Sequence, residues 1–394
     1  AVEKEGHILV DTGVMTAQIR KKGFNLFGRV TMNGKEILAD DSKGIVVTGK
    51  NGEEYLASGD KDVRVVIEEN GPLRAVVKAE GSHFGSSGKL MDYTVRMHFY
   101  KGKSRVKVFY TLRNASKNFV QHVFIRSLDL VTKFAVKTNP AVKMAKHDGI
   151  VDERLANSAE KLVYYQAVSD FPQEYKGDDF YWHAPIAADV KKKGIKRFAQ
   201  EGYWISKNGN RIMSGTKKEY PDLAWMHVSD DGGQGGAVGI RFAAGWWPKS
   251  LRAFGDGSVA IGLWPEENEK GYWIRFGSHN TFEVMYDFHD RYTDPAASMK
   301  KLQYPLMAKA PIDWYNRNVN GIYPLYNFVS FKDERDYVKE RGWRYSVSRS
   351  PKMKVWRYHY WGWGGFLNQH DFARISLVNS LRETEAPNMA GEYY

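Results

Sequence analysis

The chain has 394 residues, 42% hydrophobic and 26% charged, with a formal charge of +12 and no cysteine. That is a globular composition, long enough for two or three domains. The lack of cysteine excludes disulfides, thiolate metal sites and cysteine nucleophiles. It leaves the cellular compartment open.

The basic excess favours an acidic partner: a nucleic acid, a membrane surface or a polyanionic saccharide. A mildly basic solvated surface is the plain alternative. No apolar run approaches the roughly 18 residues that span a bilayer, so no membrane span is expected. The start at Ala1 and Val2 has neither the basic end nor the apolar centre of a signal peptide. A signal already removed, a cytosolic protein and a fragment all fit.

From Gly6 to about Asp290 the pattern is short alternating runs rich in Val, Ile, Tyr, Phe and Trp, cut by Gly and Asn. Leu26–Met32 and Glu36–Leu38 read as strands turning across Asn33 and Gly34. Val63–Glu69 and Leu73–Glu80 form a second pair across Asn70 and Gly71, a strong hairpin signal. Met91–Tyr100 and Ser104–Asn114 form a third, joined by Lys101, Gly102 and Lys103. In its second strand Val106, Val108, Tyr110 and Leu112 share one face, and Arg105, Lys107 and Arg113 the other.

Further strands are predicted at Lys161–Val168, Phe198–Ser206, Leu223–Ser229, Ala237–Phe242, Val259–Trp264 and Gly271–Phe276. The Gly-rich stretch from Asp230 to Gly236 reads as a loop and lacks the phosphate-cradle pattern. So many strands without alternating helices predict a mainly β fold, a large antiparallel β-sandwich of supersandwich-like type.

After residue 290 the pattern turns helical. Asp294 is a plausible N-cap with Pro295 at the first helical position, and Met299, Leu302 and Leu306 follow. Pro311–Asn318, Asp333–Arg341 and Phe366–Arg382 are the later helix candidates. The division expected is a sandwich over 1–292 and a partial helical segment over 293–394. One helix cannot bury its apolar face alone, so the chain reads as part of a longer protein.

Three clusters carry candidate chemistry. The first holds Asp178, Asp179, Tyr181, Trp182 and His183, where rings suit sugar stacking and carboxylates suit hydroxyls or calcium; a loop plugging the sandwich edge is the plain reading. The second is Glu283 to Arg291. As a strand it sets Glu283, Met285, Asp287 and His289 on one face, to line a cleft, bind a metal or simply face solvent. The third holds Arg357, His359, Tyr360, Trp361, Trp363, Asn368, His370 and Asp371, with glycines that admit a close ligand. So polar a mix is poor core material; a domain-interface plug competes with a ligand site. There is no Gly-x-Ser-x-Gly elbow, zinc helix or helix-turn-helix signature, and basic residues are scattered, so nucleic-acid binding is not expected.

The segment Val10 to Gly13, then Phe24 to Gly34, then Gly71 to Gly81 resembles the exo-rhamnogalacturonan lyase (YetA-like) family. Tyr93 to Gly102 and Arg105 to Asn114 extend the similarity, which covers most of residues 8–320 as a pattern, with Trp361 to Asp371 as a toroid start. The resemblance implies an N-terminal β-barrel-like domain, a central β-sandwich and a C-terminal α/α toroid. On that plan residues 1–60 would hold a remnant of the first and most of the toroid would lie beyond this chain.

It also implies an acidic polysaccharide as partner, an extracellular or periplasmic setting, and β-elimination on a uronate glycan. Such a reaction needs a cation for the C6 carboxylate, a base for the C5 proton and an acid for the leaving oxygen. Residue chemistry and clustering assign Arg357 to the first, His359 or His370 to the second and Tyr360 to the third. Trp361 and Trp363 would be stacking platforms, and Tyr181, Trp182, His183 and Asn368 would contact substrate. Calcium at Asp178 and Asp179 is the one cofactor suggested. The competing reading is a non-catalytic glycan-binding or self-assembling surface protein on the same sandwich.

Overall fold

The computed structural model describes residues 1–38, 40–115, 122–136, 139–146, 149–167, 202–215, 224–241, 243, 248–269, 271–303 and 310–318. The chain divides into two compact units, Ala1–Leu302 and Gln303–Tyr394. The fold is mainly β, as the alternating pattern predicts.

The first strands form a sheet of their own: β1 (Val2–Lys4), β2 (His7–Asp11), β3 (Thr16–Arg20), β4 (Arg29–Met32) and β5 (Lys35–Leu38). They pair antiparallel in chain order. Asn33 and Gly34 both take positive φ (48° and 75°), the geometry that a tight hairpin twisting with its strands requires. The first strand of that hairpin starts at Arg29, later than the sequence suggests. Leu26 has a φ of 71°, and Phe24, Leu26 and Phe27 are fully buried instead of alternating.

The sandwich begins with β6 (Gly44–Gly49), β7 (Glu54–Leu56), β8 (Arg64–Asn70), β9 (Arg74–Gly85), β10 (Gly88–Tyr100), β11 (Arg105–Arg113) and β12 (His122–Lys133). It continues with β13 (Ala141–Lys146), β14 (Gly149–Arg154), β15 (Lys161–Ala167), β16 (Gly202–Lys207), β17 (Asn210–Gly215) and β18 (Ala224–Ser229). The last strands are β19 (Gln234–Ile240), β20 (Lys249–Phe254), β21 (Ser258–Trp264), β22 (Tyr272–Arg275) and β23 (His279–Asp290).

Their pairings resolve into two antiparallel layers. Layer one runs β8-β9-β10-β11-β23-β19-β18-β13-β14. Layer two runs β7-β6-β12-β21-β20-β15-β16-β17, with β22 beside the first half of β12. A single bridge between Leu56 and Phe84 joins the layers along one edge.

The hairpin of β10 and β11 has the expected register, with Phe99 opposite Val106, and Val106, Val108, Tyr110 and Leu112 are buried. Side chains of both layers meet in one core, where the rings of Trp264 and Phe282 pack edge to face with centroids 5.2 Å apart. The sheet of β1 to β5 docks through Phe27, whose ring lies 5.1 Å from Tyr286 and 5.4 Å from Phe288.

Two expectations need correction. The Gly-rich stretch is not all loop, because β19 starts at Gln234. A Cβ on Gly235 would sit 2.0 Å from the Val228 carbonyl oxygen, and one on Gly236 would sit 2.3 Å from the Phe134 ring. Those glycines permit close packing inside a sheet rather than a turn. Also, the first helix does not open a separate helical body. Helix α1 (Pro295–Gln303) has its first free amide, that of Ala296, bonded to Asp294 Oδ1 at 3.0 Å, as the capping signal predicts. Its Met299 and Leu302 are buried against Trp225, Ala237 and Met285 of layer one.

Helix α2 (Ile312–Asn318) lies where the sequence places it. The helices expected at Asp333–Arg341 and Phe366–Arg382 lie outside the described residues. Among the described residues no helix is long and apolar enough to cross a membrane.

Candidate functional site

All the residues that clustering singled out for catalysis lie outside the described residues: Arg357, His359, Tyr360 and His370. So do Tyr181, Trp182, His183, Trp361, Trp363 and Asn368, and the calcium candidates Asp178 and Asp179. Two groups of described polar residues sit on the outward faces of the two layers.

On layer one, the two-residue period of β23 sends Val284, Tyr286 and Phe288 into the core and Glu283, Met285, Asp287 and His289 outward, as predicted. Glu283 accepts hydrogen bonds from Lys107 Nζ at 2.7 Å and Arg241 Nη1 at 2.6 Å. Asp287 accepts one from Ser104 Oγ at 2.8 Å. The row is neither an open cleft nor a bare solvent face, because α1 covers its centre. Gly239 makes room for the helix, since a Cβ there would stand 2.7 Å from Met299 Sδ.

At the end of the row, His289 meets His227 of β18 with Nε2 atoms 2.9 Å apart. His227 is opposite Ala237 and His289 opposite Gly235, so the two rings meet diagonally across the intervening strand β19. Burial, then His289, then Lys143 push His227 down to about 3. Burial also lowers His289, against the pull of Asp287, Asp290 and Asp230. Both imidazoles are therefore neutral at neutral pH, and both are buried. Among the described residues no three His, Asp or Glu side chains are placed to hold a metal ion.

On layer two, Leu251 and Ala253 point into the core, so Ser250 and Arg252 of β20 point the other way. Arg252 is 5% exposed and meets three carboxylates: Asp129 of β12, Glu266 at 2.8 Å and Glu267 at 3.8 Å. Burial raises Asp129 to about 6, with the Arg252 charge opposing. The carboxylates hold the guanidinium protonated against its own burial.

Tyr165 of β15 lies beside this group, raised by burial and by Glu267, and packs on Trp204 with centroids 5.2 Å apart. Lys249 at the start of β20 is buried too; its Nζ donates to the Pro248 carbonyl at 3.0 Å, and burial pushes it down to about 7. Sequence reading passed over β20 because Lys249, Ser250 and Arg252 interrupt its apolar pattern. The usable signal was Glu266 and Glu267 directly after the Val259–Trp264 strand.

The first part of the sandwich matches a known family. Residues 1–167 match the family model described as the PcRGLX-like protein central beta sandwich domain. Among individual proteins, the chain is 26% identical over 303 residues to the "Uncharacterized protein YetA" of Bacillus subtilis (strain 168). That alignment takes in 68% of this chain and 34% of YetA, so the chain spans about a third of its relative's length. Both matches support the family that the sequence resembles.

Solved structures of similar shape include the galactosidase domain of alpha-galactosidase-sucrose kinase, at a TM-score of 0.41 and 10% identity over 73% of this chain and 41% of that one. A galactose mutarotase-like protein from Lactobacillus casei has a TM-score of 0.36 and 10% identity, with 72% and 100% covered. A TPR-domain containing protein from Parabacteroides distasonis has 0.40 and 13%, with 88% and 61% covered.

Proposed function

We propose that this chain belongs to a carbohydrate-active protein that cleaves an acidic, rhamnogalacturonan-type polysaccharide by β-elimination. The observation that carries the proposal is the match of residues 1–167 to the PcRGLX-like central beta sandwich family. The formal charge of +12 adds to it, since a polyanion is the natural partner of a basic surface.

In this reaction a base removes the C5 proton of a uronate and its electrons form the C4–C5 double bond. The C4–oxygen bond breaks, and an acid protonates the departing oxygen. Arg357 would neutralise the C6 carboxylate, His359 or His370 would take the proton, and Tyr360 would supply one.

The test is to incubate the full-length protein with acidic plant and bacterial polysaccharides and follow the absorbance of the unsaturated uronate product. Product formation is the expected result. The Arg357→Ala variant is expected to lose activity by about 10²–10³-fold. Retained glycan binding with no product on any substrate would overturn the lyase reading and leave a non-catalytic binding protein.

A further inference from the structure

The Arg252 cluster on layer two is more than a clamp for the loop after β21. A clamp needs one well-paired carboxylate, whereas three converge on this guanidinium, and excess buried charge is costly unless further hydrogen bonds meet it. Three polar atoms of the group have no hydrogen-bond partner: Glu267 Oε2, Arg252 Nε and Ser250 Oγ. Their side chains are deeply buried, with Glu267 10% and Arg252 5% exposed. Glu266, by contrast, is 58% exposed and reaches the same guanidinium from the solvent side. The partly exposed Tyr165 ring stands next to it, and Trp204, with the Arg211 guanidinium over its ring, packs on Tyr165 from the next strand.

Charge selects the ligand. Three carboxylates repel a uronate, and the guanidinium at their centre repels a second cation. What remains is a neutral polyhydroxylated ring. Its hydroxyls would donate to Glu266 and Glu267 and accept from Arg252, while one face stacks on Tyr165.

We infer that the outward face of layer two around Glu266, Glu267, Arg252 and Tyr165 is a binding site for a neutral sugar unit. Glu266, the exposed member of the group, lies at its entrance. The inference rests on the carbohydrate reading of the chain but not on β-elimination.

The experiment is saturation-transfer NMR and titration calorimetry on the full-length protein with galactotetraose, cellotetraose, mannotetraose and tetragalacturonate. At least one neutral tetrasaccharide is expected to bind. Its affinity is expected to fall about tenfold both in Glu266→Ala, the worth of one charge-assisted hydrogen bond, and in Tyr165→Ala, the loss of the stacking ring. Both variants should melt within a few degrees of the parent, since these side chains are not fully buried; a variant that does not is replaced by Glu266→Gln. Tetragalacturonate binding, wherever it occurs, should be the same in the variants as in the parent.

No binding of any neutral tetrasaccharide, or neutral binding untouched by both variants, would overturn the site. So would loss of tetragalacturonate binding in Glu266→Ala. Absence of unsaturated product in the polysaccharide assay leaves this inference standing, and failure here leaves β-elimination standing.

Discussion

A proton shared between two buried imidazoles makes His227 and His289 sensitive to acid in a defined direction. In the folded chain both are held below their ordinary value near 6.5, His227 at about 3. The unfolded chain takes protons near 6.5 that the folded pair refuses. Their contribution to stability is therefore full above about pH 6.5 and is lost as the pH falls from there towards about 3. A second proton would also place hydrogens on both facing Nε2 atoms and break their bond. The His227→Gln variant should lose part of this dependence. Unfolding free energies from urea titrations at about pH 7.5 and pH 5 should differ less in the variant than in the parent, by up to about 1.4 kcal/mol per pH unit for each group. An equal pH dependence in the two proteins would reject the assignment. His83, also buried and pushed down to about 4, stays in both and cancels in the comparison. This pair was half legible in the sequence: period two placed His289 outward, but nothing in the chain pointed to His227 as its partner.

Helix α1 shows how an element finds its place. Its capping by Asp294 and the start at Pro295 are local features, and both follow the sequence. Its docking is not local, because it depends on Gly239 and Met285, which come together only when β19 pairs with β23. Met299 and Leu302 are each 1% exposed, so Met299→Ala should cost about 2–5 kcal/mol of docking free energy. Hydrogen exchange across Pro295–Gln303 should then speed up while β10 and β11 stay protected. Unchanged exchange in the helix would show that its apolar face does not hold it. The glycines of β19 make the same point. Sequence reading takes Gly235 and Gly236 as loop because glycine usually marks turns. Their real constraint is the crowding by Val228 and Phe134 from neighbouring chain segments.

At the scale of the molecule, the sheet of β1 to β5 is tied to the sandwich by rings rather than by a shared ladder. Phe24 stacks on Tyr93, and Phe27 meets Tyr286 and Phe288. The backbone links are few: a bridge between Leu38 and Phe134, the Ala135 amide on the Ile37 carbonyl and the Gly102 amide on the carbonyl of Thr12. Replacing Phe27 by Ala should lower the stability of the first unit by about 3–5 kcal/mol, measured by denaturant unfolding followed by tryptophan fluorescence. A loss under about 1 kcal/mol would mean that the two sheets hold together without it. The sequence alone determined the β class, the tight hairpins and the inward and outward faces of β10, β11 and β23. Those depend on neighbours within a few residues: a two-residue period, an Asn-Gly turn, a proline after an aspartate. The tertiary structure alone decided which strands became neighbours, how Arg252 gathered carboxylates from residues 129, 266 and 267, and why buried His227, Lys249 and Arg252 belong in strands. Those groupings join residues far apart in the chain: Asp129 and Arg252 are 123 positions from each other. No local pattern encodes a meeting that only the folded layers bring about.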